Sequence, residues 1–236
     1  MSHKIIGIVG GMGPEATANF YLKLIKRTPA KKDQDHHRVI IDSNPKIPDR
    51  TLAILGRGES PVPSIIETAQ NLSRAGVTIG CIPCITSHFF FDEVQANVNF
   101  QLIHALRALN AFCHRHYPHV KTLGILATTG TINTGLYNQF LSEFDIVYPD
   151  PILQEKNVME AIYGCEGIKS GNHGSKPLGL LRMAANKLVA QGAELIIAGC
   201  TEIPIILKQE HLDVPLIDPM DVVIDILLEI ETYEVF

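Results

Sequence analysis

Two stretches of this chain repeat one design. Lys4-Ile5-Ile6-Gly7-Ile8-Val9 is echoed by Lys121-Thr122-Leu123-Gly124-Ile125-Leu126, at positions 4 and 121, 117 apart. Phe20 and Tyr137 are again 117 apart, and Val98 and Val214 are 116 apart. Cys84 and Cys200 share the 116-residue spacing, each eight positions after a glycine, Gly76 and Gly192. Registrations that agree to within one residue along a chain indicate an internal duplication. The expected fold is therefore α/β, with two pseudo-symmetric, Rossmann-like halves built on parallel sheets and the active site in the cleft between them. The halves are expected at 1–103 and 104–218, with a closing helix in 219–236, read from Asp221 to Glu231, able to return to the first.

Each repeat places a cysteine after an apolar run. Val77 to Ile82 reads as a buried strand, and Ile196-Ile197-Ala198 is its counterpart. A helix can follow the first cysteine with Thr86 or Ser87 as N-cap. At such a junction, free backbone N–H groups and the positive end of a helix dipole favour thiolate over thiol. A lone cysteine is usually a small buried hydrophobe. Two in equivalent settings suggest a pair with a shared job.

The other cysteines narrow the choice. Cys81-Ile82-Pro83-Cys84 is a C-x-x-C without a second copy, and Cys81 lies within the strand, so neither a four-cysteine zinc site nor a thioredoxin-like motif fits well. Cys81, Cys113 and Cys165 read as structural, and five cysteines in 236 residues do not resemble a disulfide framework. A net charge of −5 carries no nucleic-acid footprint. No apolar run is long enough to span a bilayer, and the start of the chain lacks the features of a signal peptide. A cytoplasmic protein without nucleic-acid or membrane partners is the expectation.

Three further motifs invite chemistry. Gly11-x-Gly13-x-x-Ala16 matches the dinucleotide fingerprint, but the acid that should end the next strand, Asp42, arrives too late after a polar loop. Backbone N–H groups offered to a small anion are the better reading of that turn. Arg50 ends a proline-punctuated loop, either as a solvated charge or as a bidentate carboxylate clamp. Lys169 is either an exposed charge near a helix end or a hold on an anionic group. His114, His116 and His119 suit the negative end of a helix better than a metal.

Taken together, Gly10-Gly11-Met12-Gly13-Pro14-x-Ala16-Thr17, Pro48-Asp49-Arg50, Pro83-Cys84-x-Thr86-x-His88, Ala127-Thr128-x-Gly130-Thr131, Ile168-Lys169-x-Gly171 and Gly199-Cys200-Thr201-Glu202 resemble the aspartate/glutamate racemase superfamily. Glutamate after Cys200-Thr201 is similar to the aspartate racemase branch, since glutamate racemases usually carry histidine there. The resemblance implies a racemase of aspartate, or glutamate, that works without pyridoxal phosphate or any other cofactor or metal. It implies that Cys84 and Cys200 act as paired acid and base on opposite faces of Cα. It further implies that Arg50 and Lys169 hold substrate carboxylate, with hydrogen bonds from Thr86, Thr129, Thr201 and the Met12 backbone. The pattern departs at Ile85, where the family usually has asparagine; an apolar side chain there means weaker aspartate binding or a different substrate. Roles for His88 and Glu202 do not follow from it.

Two other functions use the same residues. A maleate-type cis–trans isomerase would employ one cysteine as a nucleophile on an alkene. A catalytically weak homologue would merely hold an amino acid or dicarboxylate. A homodimer is the expected assembly for an enzyme of this size.

Overall fold

The structure is a computed structural model and describes residues 4–229. Residues 230–236, which include the end of the expected closing helix, lie outside the described residues.

The chain forms two compact units, one from residues up to 112 completed by the segment from Met220, the other from Cys113 to Pro219. In the first unit β1 (Ile5–Gly10) runs into α1 (Pro14–Arg27), and Pro14 at the first helical position loses nothing by lacking an N–H. Then come β2 (Arg38–Ser43), α2 (Arg50–Ile54), α3 (Val62–Arg74) and β3 (Ile79–Cys81). A 3₁₀ turn (Ile85–Phe90), α4 (Phe91–Gln95), β4 (Gln101–Leu102) and α5 (Ala105–His116) follow. The second unit continues with β5 (Thr122–Leu126), α6 (Thr129–Asn133), α7 (Leu136–Phe140) and β6 (Asp145–Val147). Next are α8 (Pro151–Leu153), a π-helical turn (Gln154–Met159), α9 (Glu160–Tyr163) and α10 (Ser175–Ala190). It closes with β7 (Leu195–Ala198), α11 (Ile203–Ile206) and β8 (Leu216–Ile217). Helix α12 (Pro219–Leu227) then belongs almost wholly to the first unit.

The sheets are duplicates, as the sequence repeat requires. One is ordered β2-β1-β3-β4 and the other β6-β5-β7-β8, all pairs parallel. Strands buried on both faces account for the unbroken apolar runs. Packing repeats too. A Cβ at Gly7 would lie 2.6 Å from Val77 and 3.3 Å from Leu72 of α3, and one at Gly124 2.6 Å from Ile196 and 3.2 Å from Leu188 of α10, so both strands need glycine where neighbouring side chains, a crossover helix's among them, press close. Gly76 and Gly192 end α3 and α10 at φ +82 and +102, a left-handed backbone that glycine adopts without a Cβ penalty.

Several boundaries are tighter than the pattern suggested. The run from Val77 keeps only Ile79–Cys81 as strand, and the Val98–Ile103 segment only Gln101–Leu102. No threonine or serine caps the helix after Cys84; the chain enters a 3₁₀ turn at once, with Cys84 itself in the cap position at φ −157, ψ 104. Cys165 is exposed rather than a core residue, whereas Cys81 and Cys113 are buried. No described helix is long and apolar enough to cross a membrane.

Candidate active site

In the first unit, parallel pairing of β1 with β3 brings the glycine turn beside the Cys84 segment. Met12, Ile47, Ile82 and Cys84 belong to one apolar cluster, and the Ser87 hydroxyl donates to Met12 Sδ at 3.3 Å. The turn offers less to an anion than its glycines suggest. The Gly11 N–H already donates to Thr17 Oγ1 at 2.9 Å, and that hydroxyl donates to Gly13 O at 2.9 Å. A Cβ at Gly11, at φ +92, would strike the Asn44 backbone at 2.3 Å, so glycine there serves close approach of β1 and β2 ends.

Arg50 opens α2 behind an Asp49 cap, whose side chain accepts from Leu52 N. Its Nη1 donates to the carbonyls of Pro48 at 3.0 Å and Ile47 at 3.3 Å, so the guanidinium is tied to its own loop and is not a freely solvated charge. Ile85 and Thr86 follow Cys84 directly and are buried, Ile85 at 2% exposure.

Two histidines that sequence reasoning left without a role lie beneath this segment. His88 and His104 are buried, in edge contact at 5.1 Å between ring centroids. Burial lowers both, His88 to about 4 and His104 to about 3, the latter also through His88 and Arg107.

In the second unit the side chains converge on one carboxylate. Glu202 is 5% exposed. One of its oxygens, Oε2, accepts from Cys200 Sγ at 3.0 Å and from Thr201 Oγ1 at 3.3 Å; the other, Oε1, is ion-paired with Lys169 Nζ. Lys169 sits on a 3₁₀ turn (Ile168–Ser170), near the Tyr163 ring, so it is not a simple surface charge. The dipole argument fails at Cys200. Burial raises its thiol well above the usual range and the Glu202 charge adds to that, while Lys169 opposes. A four-residue helix starting three positions later cannot offset either.

Thr129 starts α6, away from the Glu202 group in sequence. Its hydroxyl donates to Glu155 Oε1 at 3.2 Å and accepts from Gln154 Nε2 at 3.2 Å. Tyr137, buried completely, lies against Gly199: a Cβ there would meet its hydroxyl at 2.4 Å. A cavity of about 330 Å³ lined by Tyr21, Leu24, His36 and Val39 contains none of these residues. Among the described residues, no group of three or more His, Cys, Asp and Glu side chains is placed to hold a metal ion.

Glu202 and His88 are the two contributors that sequence reasoning could not assign. Both stand in quoted motifs, but each also has a partner far along the chain. Lys169 is 33 residues from Glu202, and Ala105 is 17 from His88.

Two parallel α/β units of the same strand order each carry a buried cysteine just beyond a central strand, an arrangement found in racemase-like α/β folds. The chain belongs to the Asp/Glu/hydantoin racemase family, whose model matches residues 9–227. This bears out the resemblance read from the motifs and with it the enzyme class, an amino-acid racemase. A broad-specificity amino-acid racemase of Bacillus subtilis is 27% identical over 223 residues, covering 91% of this chain and 92% of that one. The Picrophilus torridus aspartate racemase superposes with a TM-score of 0.82 at 26% identity, over 96% of this chain and 93% of that one. An aspartate racemase homologue from Pyrococcus horikoshii gives 0.74 at 26% identity, over 97% and 98%.

Proposed function

We propose that the protein inverts Cα of an amino acid, aspartate being the leading substrate, with Cys84 and Cys200 as the two bases. The observation that carries this reading is the Cys200 thiol held on Glu202 at 3.0 Å, in the setting that duplicates Cys84. In one direction the Cys84 thiolate takes the Cα proton, and the electron pair remains on the carbanion. The Cys200 S–H bond then breaks and its proton joins the opposite face of Cα. Cys84 ends as thiol and Cys200 as thiolate, and the other enantiomer runs the sequence backwards. The raised Cys200 thiol suits the acid role at the start of the first direction. Lys169 and Arg50 hold carboxylate, and Thr86, Thr129, Thr201 and the Met12 backbone supply hydrogen bonds. The enzyme works in this reading as a cytoplasmic homodimer.

Ile85 favours a second reading of specificity, toward a wider range of amino acids. An apolar, buried side chain beside Cys84 offers no hydrogen bond to a polar substrate group, and the Bacillus relative is a racemase of broad specificity. Incubating a panel of L-amino acids in D₂O, read by NMR and chiral chromatography, tests both. Deuterium at Cα with inversion of aspartate alone supports the first. Inversion of several neutral amino acids supports the second. Exchange at no Cα would sink the racemase reading altogether.

A further inference from the structure

We propose that His88 is a positioning residue for Cys84: a neutral imidazole locked as its Nδ1–H tautomer, bracing the Cys84 peptide against the start of α5. The proposal rests on the two-base reading above and adds a role to a residue outside it.

Geometry assigns the tautomer. His88 Nε2 lies 3.1 Å from Ala105 N, and a backbone N–H can only donate. Nε2 therefore offers its lone pair. His88 Nδ1 lies 3.1 Å from Cys84 O, which can only accept, so Nδ1 carries the proton. The ring is 3% exposed, stacked on Phe91 at 5.6 Å and met edge-on by His104. Both nitrogens are thus used, and neither is left to act as a base on substrate.

The reason for a side-chain brace lies in the 3₁₀ turn. In an α-helix the N–H of residue 88 would bond to the carbonyl of residue 84. Here the turn is tighter, and Ser87 N donates to Cys84 O at 3.1 Å instead. The imidazole occupies the second lone pair of that carbonyl, in place of the missing bond. At its far side it satisfies the first N–H of α5, one of the four that a helix cannot satisfy itself. Rotation of the Cys84 peptide, which would swing Sγ about the same Cα, then requires breaking a bond on a helix that is fixed in the core.

The duplicate lacks this device. The position 116 residues after His88 is Pro204, which has neither ring donor nor N–H. Cys200 is instead held at its sulfur, by Glu202. One cysteine is fixed through its carbonyl and the other through its thiol, so loss of His88 acts on one side of the reaction.

Elimination of HCl from β-chloroalanine separates the two sides, because it needs a single base. The thiolate takes the Cα proton, chloride leaves from Cβ, and the resulting enamine hydrolyses to pyruvate and ammonia. Each enantiomer is assayed with the wild type, Cys84→Ser, Cys200→Ser and His88→Gln. The serine variants should each lose elimination from a different enantiomer. His88→Gln should lose about tenfold or more in kcat for the enantiomer that Cys84→Ser loses, with KM and the other enantiomer nearly unchanged, the size expected for a misplaced base. Equal loss for both enantiomers, or none, would overturn the brace while leaving the two-base reading intact. Serine variants that fail to select different enantiomers would overturn both. Should His88→Gln not fold, ¹⁵N NMR of the wild-type imidazole decides: an unprotonated Nε2 supports the proposal, and an Nε2–H tautomer overturns it.

Discussion

Glu202 shows how much one buried carboxylate can organise. Its oxygens serve Cys200, Thr201 and Lys169 together, so its charge is compensated by hydrogen bonds as well as by the lysine. Glu202→Gln removes the charge that raises the Cys200 thiol and leaves Lys169, which lowers it, unopposed. Cys200 should therefore ionise at lower pH and react faster with iodoacetamide, measured by peptide mass mapping across a pH series. Lys169→Met should move the same midpoint upward. Arg50→Ala tests substrate charge: loss of a bidentate, buried carboxylate contact costs roughly 2–5 kcal/mol. Preference for dicarboxylic over neutral amino acids should then vanish in kcat/KM; unchanged preference would mean that Arg50 serves only its loop. Tyr137 is wholly buried in the second unit. Its hydroxyl is buried and has no hydrogen-bond partner among the described residues. Tyr137→Phe should stabilise the protein by about 1 kcal/mol in urea unfolding, since an unsatisfied buried group is removed without leaving a void.

At the scale of elements, the strand–cysteine–helix unit was legible because apolar runs and glycine punctuation are local signals. The 3₁₀ turn after Cys84 was not, because it differs from an α-helix only in which N–H reaches which carbonyl. Nor was the convergence of Lys169 on Glu202, since nothing periodic links a residue on a short turn to one after a strand. The expectation of a dipole-lowered thiol at Cys200 failed for a related reason: burial and a neighbouring charge are tertiary facts, and they outweigh one short helix. The buried histidines make this region sensitive to acid. Both are neutral in the fold, with folded values of about 4 and 3 against about 6.5 unfolded. They face each other, the Phe91 ring, Arg107 and the backbone carbonyls of Cys84, Ile85 and Ile103. Because the folded values are lowered, their stabilisation is full above the unfolded value, falls as pH drops below about 6.5 and is lost once pH has passed the folded values of about 4 and 3. His88 alone should account for on the order of 3 kcal/mol over that range, and the fall in Tm between pH 7 and pH 4 should be shallower in His88→Gln.

Across the whole molecule, the repeat registered in the sequence reappears as two sheets of identical order, which is why the architecture was readable. The copies diverge beside their shared cysteines: in the repeat His88 corresponds to Pro204, and Ile85 to Thr201. The other departure from a simple repeat is α12. It is joined to α1 by ion pairs from Lys23 to Asp221 at 2.8 Å and from Arg27 to Asp225 at 2.6 Å, and it buries Val222, Val223 and Ile224. These pairs are partly exposed and contribute roughly 0.2–1 kcal/mol each, so the apolar face is the main attachment. Because this helix is made after the second unit, the first unit lacks a piece until the ribosome has delivered the segment from Cys113 to Pro219. The unit from Cys113 to Pro219 is continuous and waits for nothing. Synthesis should then invert the usual order in which the N-terminal domain folds first. In ribosome-arrested chains of increasing length, protease protection should appear in the second unit before it appears across β1 and β2.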